Sequence, residues 1–196
     1  MPALRLFLAI DIPPHARETV VSIQNRFKTL GLNASWVRSG NIHLTLKFLG
    51  NTPSERVAEI RESVSEVVEF FPVFKLALGE VDIFPNFKKP RVLWINLKDI
   101  FNRLKILQNE IDIKMGEIGF LKEKKEFNPH LTLARIKHAK AKARESLEEL
   151  KQGKGFITSI NQKYFQVSSV LLLRSDLTPK GPVYTVLGEY PLGQKA

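Results

Sequence analysis

Residues 41–46 read Asn41-Ile42-His43-Leu44-Thr45-Leu46, and residues 128–133 repeat them as Asn128-Pro129-His130-Leu131-Thr132-Leu133. The second histidine follows the first by 87 residues (130 − 43). Apolar and polar residues alternate in both copies, which predicts two strands that each have a polar face and a core face. The repeat predicts two similar halves whose polar faces meet across one cleft.

The residues on the two polar faces suit phosphodiester cleavage by proton transfer. Period two places His43 beside Thr45 and His130 beside Thr132. One neutral imidazole can take a proton from the attacking oxygen while one imidazolium gives a proton to the departing oxygen. Threonine hydroxyls can donate hydrogen bonds to the non-bridging phosphate oxygens. A single motif of this kind is more often a half-buried strand histidine bonded to its neighbours, but packing does not require the same polar pair twice.

Composition limits the class of protein without naming its function. The chain has 196 residues, of which 43% are hydrophobic, enough for one sizeable core or two small ones that share an interface. It has no cysteine, which excludes disulfides, thiolate catalysis and cysteine-ligated metals. Thirty Lys and Arg against 20 Asp and Glu give a net charge of +10. That charge favours partners that carry phosphate, although a soluble, heat-adapted surface explains it equally well.

The apolar periodicities predict interleaved strands and helices. Strands are expected at 4–10, 42–49, 74–84, 92–97, 130–136, 165–173 and 183–190, and helices at 14–30, 52–71, 99–118 and 139–150. We expect the second helix to begin with a capping box formed by Thr52 and Glu55. Short connections between several strands favour antiparallel pairing. The predicted class is α+β, with two pseudo-symmetric lobes around a central cleft and residues 1–196 as a single bilobal domain.

On its paired motifs the sequence resembles the two-histidine phosphoesterase superfamily, and within it the RNA 2′,3′-cyclic phosphodiesterases, also called 2′-5′ RNA ligases. The resemblance covers nearly the whole chain, including residues 5–10, 41–50, 90–94, 128–137, 174–175 and 181–184. It implies opening of a terminal RNA 2′,3′-cyclic phosphate to a 2′-phosphate, with reverse 2′-5′ ligation as a further activity. By the same resemblance His43 is the proton donor, His130 is the proton acceptor, and Thr45 and Thr132 hold the phosphate.

The expected partners and cofactors follow from the same motifs. The substrate is RNA with a cyclic phosphate end, and tRNA fragments are among the candidates. We expect no cofactor and no metal, because there is no His-Glu-x-x-His or His-x-His motif and no acidic residue next to either repeat. No apolar run approaches the length of a membrane span, so we expect a cytoplasmic monomer without a membrane partner.

Three further residues are candidates with two interpretations each. Lys47 shares the face of His43 by strict alternation, so it is predicted either to contact the phosphate or RNA backbone or to be a solvated strand-end lysine. Tyr184 is predicted either to stack on a base or to be an ordinary strand tyrosine. Arg135 falls on the face opposite His130, so an ion pair is favoured over a phosphate role, which would need a twist or a bulge.

The loop with Phe84, Phe87 and the pair Lys88-Lys89 could line an RNA path or serve solubility alone. His15 and His138 lack a threonine two places on and are assigned to the surface. Two other functions stay open: a non-catalytic module that binds RNA ends or nucleotides, and a phosphodiesterase for small cyclic nucleotides.

Overall fold

The computed structural model describes residues 3–123, 125–139, 143, 145, 147 and 164–193. Nine strands form one curled antiparallel sheet with helices on one face, so the α+β class is confirmed. The strands are β1 (Ala3–Asp11), β2 (Asn33–Trp36), β3 (His43–Pro53), β4 (Phe74–Phe84), β5 (Val92–Lys98), β6 (His130–His138), β7 (Tyr164–Val167), β8 (Ser169–Thr178) and β9 (Gly181–Pro191). The helices are α1 (Pro14–Lys28), α2 (Val57–Val68) and α3 (Arg103–Glu117).

The sheet has two lobes that meet at the motif strands. Lobe one has the order β3-β1-β8-β9 and lobe two has the order β6-β5-β4-β7, with β2 paired to β6. The lobes join where Leu44 of β3 pairs with Leu131 of β6. Because this junction lies between the histidine and the threonine of each repeat, the fold places both polar pairs at the middle of the sheet.

One hydrophobic core extends under both lobes. The apolar stripe of α1 is buried as the periodicity predicts, and so are the apolar residues of α3. The predicted start of the third helix at 99 is wrong, because α3 begins at Arg103 and Ile100 is 68% exposed. Both core-facing motif leucines, Leu44 and Leu131, belong to this cluster and are at most 1% exposed. A second small cluster of Phe7, Ala9 and Leu173 lies apart from it, with Tyr184 packed against it. The helices therefore cover one face of the sheet and leave the other face open as the cleft.

Two buried glutamines connect the helices α1 and α3 to the motif strand of the other lobe. Gln24 of α1 donates from Nε2 to the Leu133 carbonyl of β6 at 2.8 Å and to the Val37 carbonyl at 2.9 Å. Gln108 of α3 donates from Nε2 to the Leu46 carbonyl of β3 at 3.5 Å. Since α1 follows β1 of lobe one and α3 follows β5 of lobe two, the helices interlock the lobes.

Two other predicted elements differ from the structure, one strand was not predicted, and one predicted helix is largely untested. The capping box is wrong, because β3 continues to Pro53 and buries Thr52, so α2 begins at Val57 without a side-chain cap. The single strand predicted at 165–173 is two strands, because the chain leaves β7 in lobe two and enters β8 in lobe one. The short strand β2 lacks an apolar alternation and was not predicted. Most of the helix predicted at 139–150 lies outside the described residues.

Candidate active site

The polar faces of both motif strands lie on one cleft of about 740 Å³. His43 and Thr45 line it from β3, and His130 and Thr132 line it from β6. Tyr184 of β9 lines it as well. The structure thus brings together the two histidines, the two threonines and the tyrosine that the sequence singles out.

Both imidazole rings are held in the same way. Nδ1 of His43 lies 2.8 Å from the Asn41 carbonyl, and Nδ1 of His130 lies 2.8 Å from the Asn128 carbonyl. A carbonyl only accepts, so each Nδ1 carries the proton and each Nε2 is left for proton exchange. In both repeats the acceptor is the main-chain carbonyl two residues before the histidine, so the two strands hold their rings with the same local geometry.

The environment of His43 is apolar and enclosed. The ring centroids of Phe7 and Tyr184 lie 5.0 Å and 5.2 Å from that of His43. Burial lowers the pKa of His43 below its usual 6.5, and the nearby charges of His130 and Arg17 lower it further. The hydrogen bond to Asn41 and the Asp11 carboxylate act in the opposite direction. Burial is the largest effect, so the neutral ring is favoured in the free protein.

The two histidines are not equivalent. Nε2 of His43 lies 3.0 Å from Oγ1 of Thr45, where the hydroxyl donates to the neutral ring. His130 is exposed, and its ring meets Trp94 edge-on at a centroid distance of 5.6 Å. The repeat therefore presents one sheltered imidazole and one that is open to solvent.

A β-bulge in each motif strand changes which side chains reach the cleft. The ladder between β1 and β3 skips Leu46, and the ladder between β5 and β6 skips Leu133. After each bulge the alternation is inverted, so Lys47 faces the core and Phe48 faces the cleft.

Lys47 is therefore not in the cleft, and neither of its predicted environments is found. It is 1% exposed and forms an ion pair with Asp112 of α3. Its Nζ also donates to the Leu121 carbonyl at 2.8 Å. The placement in the cleft was wrong because strict alternation does not include the bulge at Leu46.

The equivalent bulge in β6 turns Arg135 into the cleft. The predicted position on the face opposite His130 is therefore wrong, and Arg135 forms no ion pair with another described residue. Its guanidinium lies close enough to Tyr184 to oppose the raised pKa of that phenol, which burial causes. The cleft thus has a phenylalanine after one histidine motif and an arginine after the other.

A family model described as LigT-like phosphoesterase matches the chain twice, over residues 10–94 and 95–184. The chain belongs to the LigT-like phosphoesterase family. A relative from Methanocaldococcus jannaschii, named RNA 2′,3′-cyclic phosphodiesterase, is 35% identical over 189 residues, covering 95% of this chain and 100% of its own. A relative of the same name from Aquifex aeolicus is 30% identical over 194 residues, covering 98% of this chain and 100% of its own.

Solved structures agree with the LigT-like fold. The crystal structure of TT0787 of Thermus thermophilus superposes with a TM-score of 0.82 at 26% identity, covering 98% of this chain and 100% of that one. The structure of E. coli LigT complexed with 3′-AMP superposes with a TM-score of 0.78 at 23% identity, covering 97% and 98% of the two chains. One LigT-like repeat holds His43 and the other holds His130.

The turn before the first LigT-like motif is fixed by Arg17 of α1. Its guanidinium pairs with the Asp11 carboxylate and donates to the carbonyls of Ser39, Ile12 and Ile42. Asp11 is the Cα partner of His43 across the β1–β3 ladder. This arginine therefore ties the strand beside His43 to the turn that leads into it.

The sequence prediction missed Arg17, Phe48 and two glutamines, Gln24 and Gln108, which donate to the carbonyls of the bulge residues Leu133 and Leu46. A signal for the glutamines exists, because Gln24-Asn25 in α1 recurs as Gln108-Asn109 in α3.

The predicted surface positions of His15 and His138 are confirmed, since both are exposed. Among the described residues, no group of three or more His, Cys, Asp or Glu is placed to hold a metal ion. Within the same residues, no helix is long and apolar enough to cross a membrane.

Proposed function

We propose that this protein hydrolyses the terminal 2′,3′-cyclic phosphate of RNA to a 2′-phosphomonoester, without a metal, through His43 and His130. The observation that carries the proposal is one cleft lined by two His-x-Thr pairs, in which both rings are held at Nδ1 by a carbonyl. That arrangement supplies two imidazole Nε2 atoms to one anionic group. The relatives named RNA 2′,3′-cyclic phosphodiesterase support the same substrate.

The reaction needs one proton taken up and one delivered. Nε2 of His130 accepts a proton from a water molecule as the water oxygen attacks phosphorus. The bond from phosphorus to the 3′-oxygen breaks, and Nε2 of His43 donates its proton to that oxygen. The product carries a 2′-phosphate and a 3′-hydroxyl, and the two histidines have exchanged protonation states.

The exposure of the two rings suits these roles. The base works on water and is the exposed His130, whereas the acid works on a sugar oxygen and is the sheltered His43. Burial disfavours the charged form of His43 in the free protein, but a bound phosphate anion favours imidazolium again. We therefore expect substrate binding to raise the pKa of His43 and to charge the acid when it is needed.

The remaining polar groups of the cleft suit a phosphate. The hydroxyls of Thr45 and Thr132 can donate to the non-bridging oxygens, and Arg135 can bind the same oxygens or the next phosphate along the RNA.

In reverse ligation a 5′-hydroxyl replaces water as the nucleophile at the cyclic phosphate. His130 then accepts the hydroxyl proton, the bond from phosphorus to the 3′-oxygen breaks, and His43 gives its proton to that oxygen while the strain of the cyclic ester is released.

The direct test is the product formed from an end-labelled cyclic-phosphate RNA in excess chelator. Conversion to a 2′-phosphate end is the expected result. Binding without a product would favour a non-catalytic module, and turnover of cyclic mononucleotides alone would favour a small-nucleotide enzyme. Loss of activity in chelator that added metal restores would contradict the metal-free mechanism.

A further inference from the structure

The cleft face of lobe two continues beyond the histidine motif across two more strands. Arg135 of β6 is the Cα partner of Val92 in β5, and Val92 is the partner of Phe84 in β4. Directly cross-strand partners project from the same face of a sheet. Because Arg135 lines the cleft, Val92 and Phe84 extend the cleft face outward from it.

A parallel row confirms which face this is. Thr132, Trp94 and Asp82 are successive cross-strand partners, and Thr132 lines the cleft. The row between them faces the other way, since the cross-strand partners Leu93 and Ile83 are at most 4% exposed in the core. The extended face therefore carries Trp94, Val92 and Phe84, and within the described residues it is open at Phe84, which is 64% exposed.

The loop that follows Phe84 is basic and held in place. Asn86 accepts the Lys89 amide at 2.9 Å, and the Arg91 amide donates to the Phe84 carbonyl at 2.9 Å. Phe87 is 9% exposed and anchors the loop in the core, so its predicted place on an RNA path is wrong. Lys88, Lys89 and Arg91 are exposed, and none forms an ion pair within the described part of the chain.

These observations point to one ligand chemistry. An exposed aromatic ring on an open sheet face, beside cations without acidic partners, suits single-stranded nucleic acid, which stacks its bases and neutralises its phosphates on such surfaces. We infer that the face formed by Phe84, Val92 and Trp94, together with Lys88 and Lys89, binds the nucleotides that precede the cyclic phosphate in single-stranded RNA. This inference rests on the proposed function, which places the RNA end between the two histidines.

The charges also indicate the path of the backbone. Asp82 is exposed in the row of Thr132 and would repel a phosphate. Arg135 lies in the other row, and the two loop lysines follow Phe84 at the outer end of that row. The phosphates therefore follow the row of Arg135 toward the β4–β5 loop, with a base over Phe84.

The experiment measures equilibrium binding and turnover separately, on RNA of about ten nucleotides, a length within the range that single-strand sites cover. Binding uses a labelled RNA that ends in a 2′-phosphate, so it does not depend on catalysis. The variants are Phe84→Ala and the double variant Lys88→Gln/Lys89→Gln. Matched controls are Phe101→Ala, whose ring is 76% exposed near α3, and Lys105→Gln/Lys122→Gln on α3 and the segment after it.

We expect Phe84→Ala to weaken oligonucleotide binding about tenfold, because it removes one stacking platform. The double lysine variant should weaken binding and reduce the magnitude of the slope of log affinity against log salt by about 1.4, since each phosphate contact on a single strand contributes about 0.7. Both should hydrolyse a cyclic mononucleotide as the wild type does, and the controls should bind RNA normally.

Wild-type affinity in both variants, or an equal loss in the controls, would overturn the inference about this face. Failure of the wild type to hydrolyse any cyclic phosphate would instead overturn the proposed function, and the binding result would still decide the question of the face.

Discussion

At the scale of single residues, the site combines a symmetric orientation with asymmetric surroundings. Asn41 and Asn128 hold the two imidazoles in the same way, whereas Phe7 and Tyr184 enclose only His43. The repeated motif is visible in the sequence, so the pairing of the histidines could be predicted. Their inequality could not, because the aromatic enclosure comes from β1 and β9, far away along the chain.

The enclosure of His43 gives a pH dependence. Burial and the charge of His130 both oppose protonation of His43, so the first proton lost by the coupled pair leaves below pH 6.5. The acid limb of kcat/KM, which reports the free enzyme, should therefore lie below pH 6.5. Tyr184→Ala lets water reach the ring, which should raise that pKa and move the limb upward.

The matched control for this shift is Val186→Ala on the same strand, where the side chain is 56% exposed. The control should leave the limb unchanged. A wild-type limb above pH 6.5, or an equal shift in the control, would mean that burial does not tune His43.

At the scale of elements, the two bulges decide what the cleft contains. They turn Phe48 and Arg135 into it and send Lys47 to the core. Strands and their faces could be predicted from period two up to Leu46 and Leu133, and no further. A bulge depends on the hydrogen bonds of neighbouring elements, here Gln24 and Gln108, so the local pattern does not show it.

Gln24→Leu should destabilise the fold by about 1–3 kcal/mol, because it removes a donor from the buried Leu133 carbonyl and the partly buried Val37 carbonyl. It also removes a bond to the bulge at Leu133, so Arg135 should lose its position and KM should rise. Urea unfolding and steady-state kinetics measure the two effects. The neighbouring Asn25→Leu, on the exposed side of α1, is the control. A loss of stability without a change in KM would contradict the prediction that the bond of Gln24 to the bulge positions Arg135.

Lys47→Ala should lower the unfolding free energy by about 3 kcal/mol, because it leaves Asp112, which is 13% exposed, without its ion-pair partner. The exposed pair of Lys105 with Glu126 gives the comparison, since Lys105→Ala should leave the unfolding free energy nearly unchanged. KM should stay unchanged where enough Lys47→Ala protein remains folded. A large rise in KM with normal stability would return Lys47 to the phosphate site.

At the scale of the whole molecule, the two lobes share one core. The helix α1, which follows a strand of lobe one, bonds to lobe two, and α3, which follows a strand of lobe two, bonds to lobe one. The α+β class and the two-lobed arrangement could be predicted from the repeat and the short strand connections. The interlock could not, since it needs α1 to reach Leu133 and α3 to reach Leu46 in space. We propose that the chain is a single bilobal domain built from an internal duplication, as the double family match supports.

A single domain should unfold as one unit. Calorimetry should give one transition whose measured enthalpy equals the van't Hoff enthalpy, because the shared core couples both lobes. Lobes that unfold separately would instead produce two transitions, or a measured enthalpy well above the van't Hoff enthalpy.

The central claim is that two imidazoles act on one phosphate as acid and base. The measurement that tests it most directly is single-turnover hydrolysis of cyclic-phosphate RNA in excess chelator by the wild type, His43→Ala and His130→Ala. We predict a 2′-phosphate product and a rate about 10²–10⁴-fold lower in each variant, with RNA binding retained. Undiminished hydrolysis in either variant that still binds RNA would contradict the account.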